Sequence, residues 1–148
     1  MPKVELTFAD RLEIETLMNE VVGRRDRGEG HRVSELFAED GQIVTPHAAM
    51  KDRAAIHEHF SDPSKVSQIV TRHFWTNMTM TPLDNGTVRV DSYALTAVGS
   101  IERPEKGVSL MIGDNRDVFV RVDGRWLFAR REVTHALRGT LEAMGVPA

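Results

Sequence analysis

The feature of this sequence that most constrains its fold is a single change in the spacing of its apolar residues. Up to Phe60 they recur every three to four positions, which is the period of a helix with one buried face. From Ile69 onward they recur mostly at every second position, which is the period of a strand. Helices followed by a run of long strands predict an α+β domain in which helices pack on an antiparallel sheet, rather than alternating parallel units.

Local signals place three helices in the first part of the chain. Thr7 is expected to cap the first helix because its hydroxyl can accept from a free backbone N–H, and Asp10 suits the positive end of the helix dipole. Gly28 and Gly30 are expected to end this helix. Its apolar stripe consists of Leu12, Ile14, Leu17, Met18, Val21 and Val22. The later elements predicted here are a short helix over 31–37 closed by 38–41, a strand over 42–45 and a helix over 53–60 capped by Asp52.

Four strands are predicted in the second part of the chain. Asp123-Gly124 is the two-residue signal of a tight hairpin between the last two of them. Asp84-Asn85-Gly86 predicts the turn between the first two, and a polar loop over 102–107 follows the second. The predicted strands cover 69–80, 87–100, 110–122 and 125–133.

Length and composition exclude several classes of protein. The chain of 148 residues fits one domain over 1–148, and neither a repeat nor a linker divides it. A net charge of −3 argues against nucleic-acid binding, which needs a basic surface. The absence of cysteine excludes disulfides and thiolate catalysis. With no secretory signal and no apolar run that could span a bilayer, we expect a cytoplasmic protein that binds no membrane.

A twisted sheet that curls around a long helix leaves a cone with an open mouth, where a small-molecule pocket is expected. Strict alternation along the first long strand divides its side chains into two sets. One set mixes polar and aromatic groups, as a pocket wall does, and the other is apolar. The sets are His73, Trp75, Asn77 and Thr79 on one face, and Phe74, Met78 and Met80 on the other.

The last strand carries two adjacent arginines, Arg130 and Arg131, and alternation allows only one of them to face the pocket. Arg131 shares its predicted face with Leu127, Ala129 and Val133. These small or apolar neighbours favour Arg131 as the inward arginine, although alternation alone leaves Arg130 open.

Five segments, at residues 10–14, 25–28, 36–40, 72–77 and 122–131, have an order and spacing that resemble the SnoaL-like branch of the nuclear transport factor 2-like superfamily. The resemblance extends over about Phe8 to Val133. It implies a cystatin-like cone, in which N-terminal helices pack on a strongly bent antiparallel sheet around an internal pocket. It also implies a homodimer or homotrimer, and apolar residues on both faces of the long strands agree with a second buried face.

The resemblance further implies a site. Scytalone dehydratase and hexachlorocyclohexane dehydrochlorinase, two lyases of the superfamily, use an Asp–His pair whose Asp ends the first helix and whose His lies on the first long strand. Asp26 and His73 occupy the matching positions here, and Arg131 matches the arginine that completes the dehydrochlorinase site. The residues expected to contact the substrate are Trp75, Asn77 and Tyr93, the last being the single tyrosine of the chain.

An Asp–His pair suits general-base chemistry, because imidazole titrates near neutral pH and a carboxylate on its other nitrogen stabilises the imidazolium. The expected function is therefore a cofactor-independent lyase or isomerase that acts on a small apolar cyclic substrate, with Arg131 stabilising an anion. A non-catalytic small-molecule binding protein and a small structural subunit of a ring-hydroxylating dioxygenase stay open. Two non-catalytic interpretations also stay open. Asp26 lies among arginines and can form a surface ion pair, and His73 can have a structural role.

No metal site is expected. His57 and His59 are two apart, so on a helix they point to nearly opposite sides and cannot share one ion. Gly113-Asp114-Asn115 lacks the further acidic positions of a calcium loop and predicts a strand irregularity or bulge instead.

Overall fold

A computed structural model describes residues 5–62 and 69–142 of the chain. Two α-helices and six strands lie within these ranges, with short 3₁₀ helices at Gly30–Leu36 and Pro104–Lys106. The helices are α1 (Phe8–Asp26) and α2 (Arg53–Ser61), and the strands are β1 (Phe37–Val44), β2 (Ala49–Met50), β3 (Val70–Pro82), β4 (Val88–Gly99), β5 (Val108–Val122) and β6 (Arg125–Leu141). Within the described ranges, no helix is both long and apolar enough to cross a bilayer.

The strands form one sheet in the order β2-β1-β6-β5-β4-β3. Helices pack against this sheet, which confirms the predicted α+β class. One pair, β1 with β6, is parallel, and the other described pairs are antiparallel, so the sheet is mixed. The parallel pair arises because the chain crosses the whole sheet between β1 and β6, a long-range connection with no local sequence signal.

Local capping signals set the starts of both helices as predicted. Thr7 and Asp10 form a reciprocal capping box, in which each side chain bonds the backbone N–H of the other. Asp10 also accepts from Trp126 Nε1 at 2.9 Å and from Arg121, which ties α1 to the β5–β6 hairpin. The Trp126 bond, with those from Thr7 and Arg121, outweighs burial and holds the pKa of Asp10 well below its ordinary value. Asp52 caps α2 by accepting from the N–H of Ala55 at 2.8 Å.

The core lies between α1 and the sheet. The ring of Phe128 stacks on Phe37 at 4.9 Å between centroids and also contacts Phe119 at 4.4 Å. Each such fully buried large side chain contributes roughly 1.5–3 kcal/mol of hydrophobic stabilisation. The main buried members are Ile14, Met18, Val21, Val33, Phe37, Ile56, Val88, Val90, Phe119, Trp126 and Phe128.

Two predicted boundaries are wrong. Residues 38–41 were expected to close a helix, but they belong to β1, which begins at Phe37. The pairing of β1 with β6 shifts register between Phe37 and Gln42, so the turn-forming residues are accommodated as an irregularity inside the strand. The last strand continues to Leu141 rather than ending at Val133, because β5 supplies a partner along that whole length.

A bulge in β3 corrects the predicted faces of that strand. Thr76 pairs with Tyr93 but Thr79 pairs with Asp91, so β3 holds one extra residue. Asn77 takes up this residue with a left-handed φ of 55°. Beyond the bulge the alternation is reversed. Met78 and Met80 therefore pack on the core together with Trp75, whereas Asn77 and Thr79 lie on the outer face.

A second bulge decides between the two arginines of β6. Val118 pairs with Arg130 and Phe119 with Phe128, which leaves Ala129 unpaired. The core-facing residues of β6 are therefore Trp126, Phe128 and then Arg131. Strict alternation predicts that Leu127 and Ala129 share the face of Arg131, and this prediction is wrong because of the bulge. Arg131 is buried, while Arg130 bonds Gln42 and Glu132 away from the core.

The predicted irregularity at Gly113 is present as a third register shift. Gly113 pairs with His135 while Ile112 pairs with Leu137. A Cβ on Gly113 would lie 1.8 Å from the carbonyl oxygen of Thr134, so only glycine allows the two strands to approach this closely.

Candidate active site

Asp26 and His73 meet where the end of α1 contacts β3. His73 Nδ1 lies 2.6 Å from Asp26 Oδ1, and the backbone N–H of His73 donates to Asp26 Oδ2 at 2.8 Å. Thr71 Oγ1 donates a third hydrogen bond to Asp26 Oδ1 at 2.9 Å. Both side chains of the pair are only 11% exposed. Three donors from one strand thus fix the carboxylate in a single orientation against the imidazole.

This geometry determines which ring nitrogen is free. A carboxylate beside Nδ1 requires the proton of neutral imidazole to be on Nδ1, so Nε2 carries the lone pair. Within residues 5–62 and 69–142, no group forms a hydrogen bond with Nε2. Nε2 is therefore available to accept a proton from a bound molecule.

Electrostatics favour the neutral, basic form of His73. Burial and the nearby Arg25 cation lower the pKa of His73 below its ordinary value, with Arg131 acting in the same direction. The hydrogen bond from His73 to Asp26 opposes this lowering only in part. Burial alone would raise the pKa of Asp26, but the bonds from His73 and Thr71 keep it below its ordinary value. At neutral pH the site therefore contains a carboxylate and an uncharged imidazole.

The pair opens into a cavity of about 300 Å³. Trp75 lies beside His73 in its wall, where its indole Nε1 donates to Asn19 Oδ1 at 2.9 Å. This bond joins β3 to α1 a second time and holds the indole against the cavity. The lining residues are Asn19, Val22, Gly23, Asp26, His73, Phe74 and Trp75.

Arg131 lies in an adjoining cavity of about 230 Å³, and Val22 lines both cavities. Its guanidinium donates from Nη1 to Asp117 Oδ2 at 3.3 Å and approaches the sulfur of Met18 at 3.9 Å. Arg131 therefore acts on His73 through space and is held from behind by β5. The structure brings Asp26 and His73 into direct contact and places Arg131 in the neighbouring wall.

Asp117 is a buried acid that the sequence reasoning did not single out. Burial raises its pKa to about 7, although the Arg131 cation pulls in the opposite direction. Its Oδ1 and the Oδ1 of Asn115 are buried and have no hydrogen-bond partner among the described residues. Both residues are buried on β5, and Asp117 is the one that pairs with Arg131 of β6.

Two predicted substrate contacts lie elsewhere. Asn77 and Tyr93 line a different cavity, of about 520 Å³, on the outer face of the sheet. The bulge at Asn77 turns that side chain outward, and Tyr93 pairs with Thr76 and shares its outer face. The structure therefore separates these two residues from the Asp26–His73 pair and leaves Trp75 beside it.

The histidines of α2 take part in local contacts. His57 Nδ1 lies 3.1 Å from the carbonyl oxygen of His31, and its Nε2 lies 3.4 Å from Ser61 Oγ. The ring of His59 packs edge-on against Phe60. Across the ranges 5–62 and 69–142, no three His, Cys, Asp or Glu side chains converge in a way that could hold a metal ion.

Sequence reasoning also missed Thr71 and Arg25, although each carries a signal. Thr71 is two residues before His73, so strand alternation places it on the same face. Arg25 lies four residues after Val21 and seven after Met18, and this spacing places it on the same side of α1 as the buried residues.

Residues 7–132 match the model of the SnoaL-like domain family. This chain belongs to the SnoaL-like domain family. No curated protein matches the sequence.

Solved structures show the same architecture. A hexachlorocyclohexane dehydrochlorinase of type 2 superposes with a TM-score of 0.78 at 15% identity, over 95% of this chain and 94% of that one. A candidate scytalone dehydratase from Novosphingobium aromaticivorans superposes with a TM-score of 0.75 at 20% identity, over 95% and 96%. A protein from the same organism, described as nuclear transport factor 2-like with a cystatin-like fold, is 26% identical with a TM-score of 0.65, over 86% and 82%. This SnoaL-like protein therefore has the nuclear transport factor 2-like, cystatin-like fold.

Proposed function

We propose that this SnoaL-like protein is a cofactor-independent lyase or isomerase whose general base is His73. The observation that carries the proposal is the 2.6 Å contact of His73 Nδ1 with Asp26. It leaves Nε2 of this cavity-lining residue without a hydrogen bond to any of the described residues. A base must be neutral and must reach the proton that it removes. The lowered pKa of His73 satisfies the first condition, and the position of His73 in the cavity wall supports the second.

The chemistry begins with transfer of a proton from a substrate carbon to Nε2. Asp26, already bonded to Nδ1–H, stabilises the imidazolium that forms. In an elimination, the electrons of the broken C–H bond form a double bond as a leaving group departs from the adjacent carbon. In an isomerisation, the imidazolium returns its proton to a different atom of the same molecule. A positioned base of this kind contributes about 10²–10⁴-fold to a rate.

The walls of the two adjoining cavities suit a small, largely apolar ring. Valine, isoleucine, methionine, phenylalanine and tryptophan side chains form about half of the lining, and polar groups, including the Asp26–His73 pair, Arg25 and Arg131, form much of the rest. Arg131 would stabilise negative charge that develops on the substrate as the proton leaves.

Proton exchange tests the base without knowledge of the natural substrate. Wild-type protein is incubated in D₂O with a cyclic ketone such as 2-tetralone, and deuterium incorporation next to the carbonyl is followed by NMR. We expect catalysed exchange for the wild type and a loss of about 10²-fold or more for His73→Gln. His31→Gln, a substitution of an exposed histidine, is the matched control and should leave the rate unchanged.

Equal exchange rates for wild type and His73→Gln would overturn the assignment of the base. Ring ketones that bind equally to both proteins without exchange would favour a non-catalytic binding protein instead.

A further inference from the structure

Arg25 differs from the other arginines at the end of α1. Arg24 bonds Glu20 and Glu35, each at 2.9 Å, and Arg27 bonds Glu29 at 2.7 Å. The guanidinium of Arg25 has neither a hydrogen bond nor an ion pair with any group in residues 5–62 and 69–142. The guanidinium lies over the ring of Phe60, whose centre is 5.0 Å from Arg25 Cζ. Arg25 is exposed to solvent, so its five donors are open to water or to a bound molecule.

The unpaired guanidinium faces the cavity of about 230 Å³ that also contains Arg131. Among the described residues that line this cavity, none is acidic. The polar lining is basic or neutral, and the rest is apolar. The complete lining is Val21, Val22, Arg25, Val33, Ile43, Thr45, His47, Ala48, Met50, His59, Phe60, Arg131 and Val133.

Two carboxylates that adjoin residues of this cavity are already engaged. Asp26 accepts three hydrogen bonds from His73 and Thr71, and Asp117 lies against Arg131. The protein around the cavity and the Arg131 cation lower the pKa of Arg25 to about 10, so it remains charged at neutral pH. Two cations that line one cavity repel each other, and a bound anion would offset this repulsion.

We infer that this cavity binds a small ring compound through a carboxylate, and that Arg25 is the residue that recognises the carboxylate. The planar guanidinium matches a carboxylate with two parallel hydrogen bonds. The apolar walls would enclose the ring, and the volume exceeds the roughly 150 Å³ that holds benzene in an engineered cavity, so one or two fused rings fit. The inference rests on the proposed function only where it names the substrate as an aromatic or alicyclic acid; the binding of the acid does not depend on catalysis.

The experiment compares a carboxylate with a neutral analogue of the same shape. Binding of 1-naphthoate and of 1-naphthamide is measured by isothermal titration calorimetry at fixed pH and ionic strength. We expect the wild type to prefer the carboxylate by about 10- to 100-fold, the contribution typical of a hydrogen-bonded ion pair. Arg25→Gln should bind both compounds equally, and Arg25→Lys, which keeps the charge, should recover part of the preference.

Two further variants make the result specific. Arg27→Gln removes a cation from the same helix turn that is already paired, and it should keep the wild-type preference. His73→Gln should also keep it, because the base is not the anion receptor. A preference that survives in Arg25→Gln, or no binding of naphthoate by the folded wild type, would overturn the inference. If no ketone exchange is catalysed but the preference for the carboxylate depends on Arg25, the assignment of His73 as base is wrong and the carboxylate site is supported.

Discussion

Asp117 Oδ2 accepts a hydrogen bond from Arg131 Nη1 at 3.3 Å in the interior of the domain, where both side chains are buried. The contact joins neighbouring strands, β5 and β6, immediately after the bulge at Ala129. It holds the inward arginine against the sheet, so the direction of Arg131 is set both by the bulge and by a buried acid. The carboxyl can accept this bond whether or not it is protonated.

The buried acid predicts an unusual pH dependence of stability. The pKa of Asp117 is raised from 3.8 to about 7 in the folded chain, so between these values the folded state binds more protons than the unfolded state. Its contribution to stability is therefore complete below about pH 4 and is lost as the pH rises through about 7. We expect Asp117→Asn, which cannot ionise, to gain stability relative to wild type over this range, by less than about 4 kcal/mol.

Urea unfolding at several pH values measures this difference. Asp114→Asn is the matched control, because Asp114 lies on the exposed face of the same strand. If the difference in free energy of unfolding between wild type and Asp117→Asn does not change between about pH 4 and 7, Asp117 is ionised over that whole range and the prediction is wrong.

The environment of His73 predicts the pH dependence of the proposed reaction. Because burial and the Arg25 cation lower the pKa of His73, the rate should rise with pH and have its midpoint below 6.5. Arg25→Gln removes one cause of the lowering and should move the midpoint upward. NMR titration of the His73 ring measures the same shift without a substrate. A His73 pKa that does not move in Arg25→Gln would contradict the electrostatic coupling of the two cavities.

The bulge in β3 predicts a sharp preference at residue 77. Asn77 has a φ of 55°, a conformation that asparagine and glycine adopt readily and β-branched residues do not. We expect Asn77→Gly to fold normally and Asn77→Val to lose about 1–2 kcal/mol of stability. Thr79→Val, on the same outer face but with ordinary strand geometry, is the control for added apolar surface. If both valine variants lose equal stability in thermal unfolding, the left-handed backbone is not the cause.

The outer face of the sheet predicts self-association. Phe74 pairs with Leu95, Leu95 with Ile112 and Ile112 with Leu137, so one apolar row crosses four strands. Phe74 is 57% exposed and Leu137 is 65% exposed, which is unusual for such a continuous row. We propose that a second copy of the chain covers this row in a homodimer or homotrimer.

Light scattering at micromolar concentration measures the mass of the assembly, and Leu137→Glu should convert it to the monomer. Leu12→Glu, on the exposed side of α1, is the control and should leave the mass unchanged. A monomeric mass for the wild type would contradict the proposal.

The sequence by itself determines the local features of the structure, which depend on residues only a few positions apart. The caps at Thr7 and Asp52 and the hairpin at Asp123-Gly124 form as predicted, because each is a local hydrogen bond or a local backbone preference. The division into helices and long strands follows for the same reason, since the apolar spacing selects the period. The Asp26–His73 pairing came from the resemblance to a family, and the residues alone left a surface ion pair open for Asp26.

Tertiary structure decided the features for which strict alternation fails. Bulges at Asn77 and Ala129 each reverse the faces of a strand, because one extra residue must fit against a partner strand distant in sequence. The first bulge moves Asn77 to the outer face. The second turns Arg131 inward directly after Phe128. The parallel pairing of β1 with β6 depends in the same way on contacts between distant segments, and so does the lack of a partner for Arg25 among the described residues. No local pattern in the sequence records such contacts.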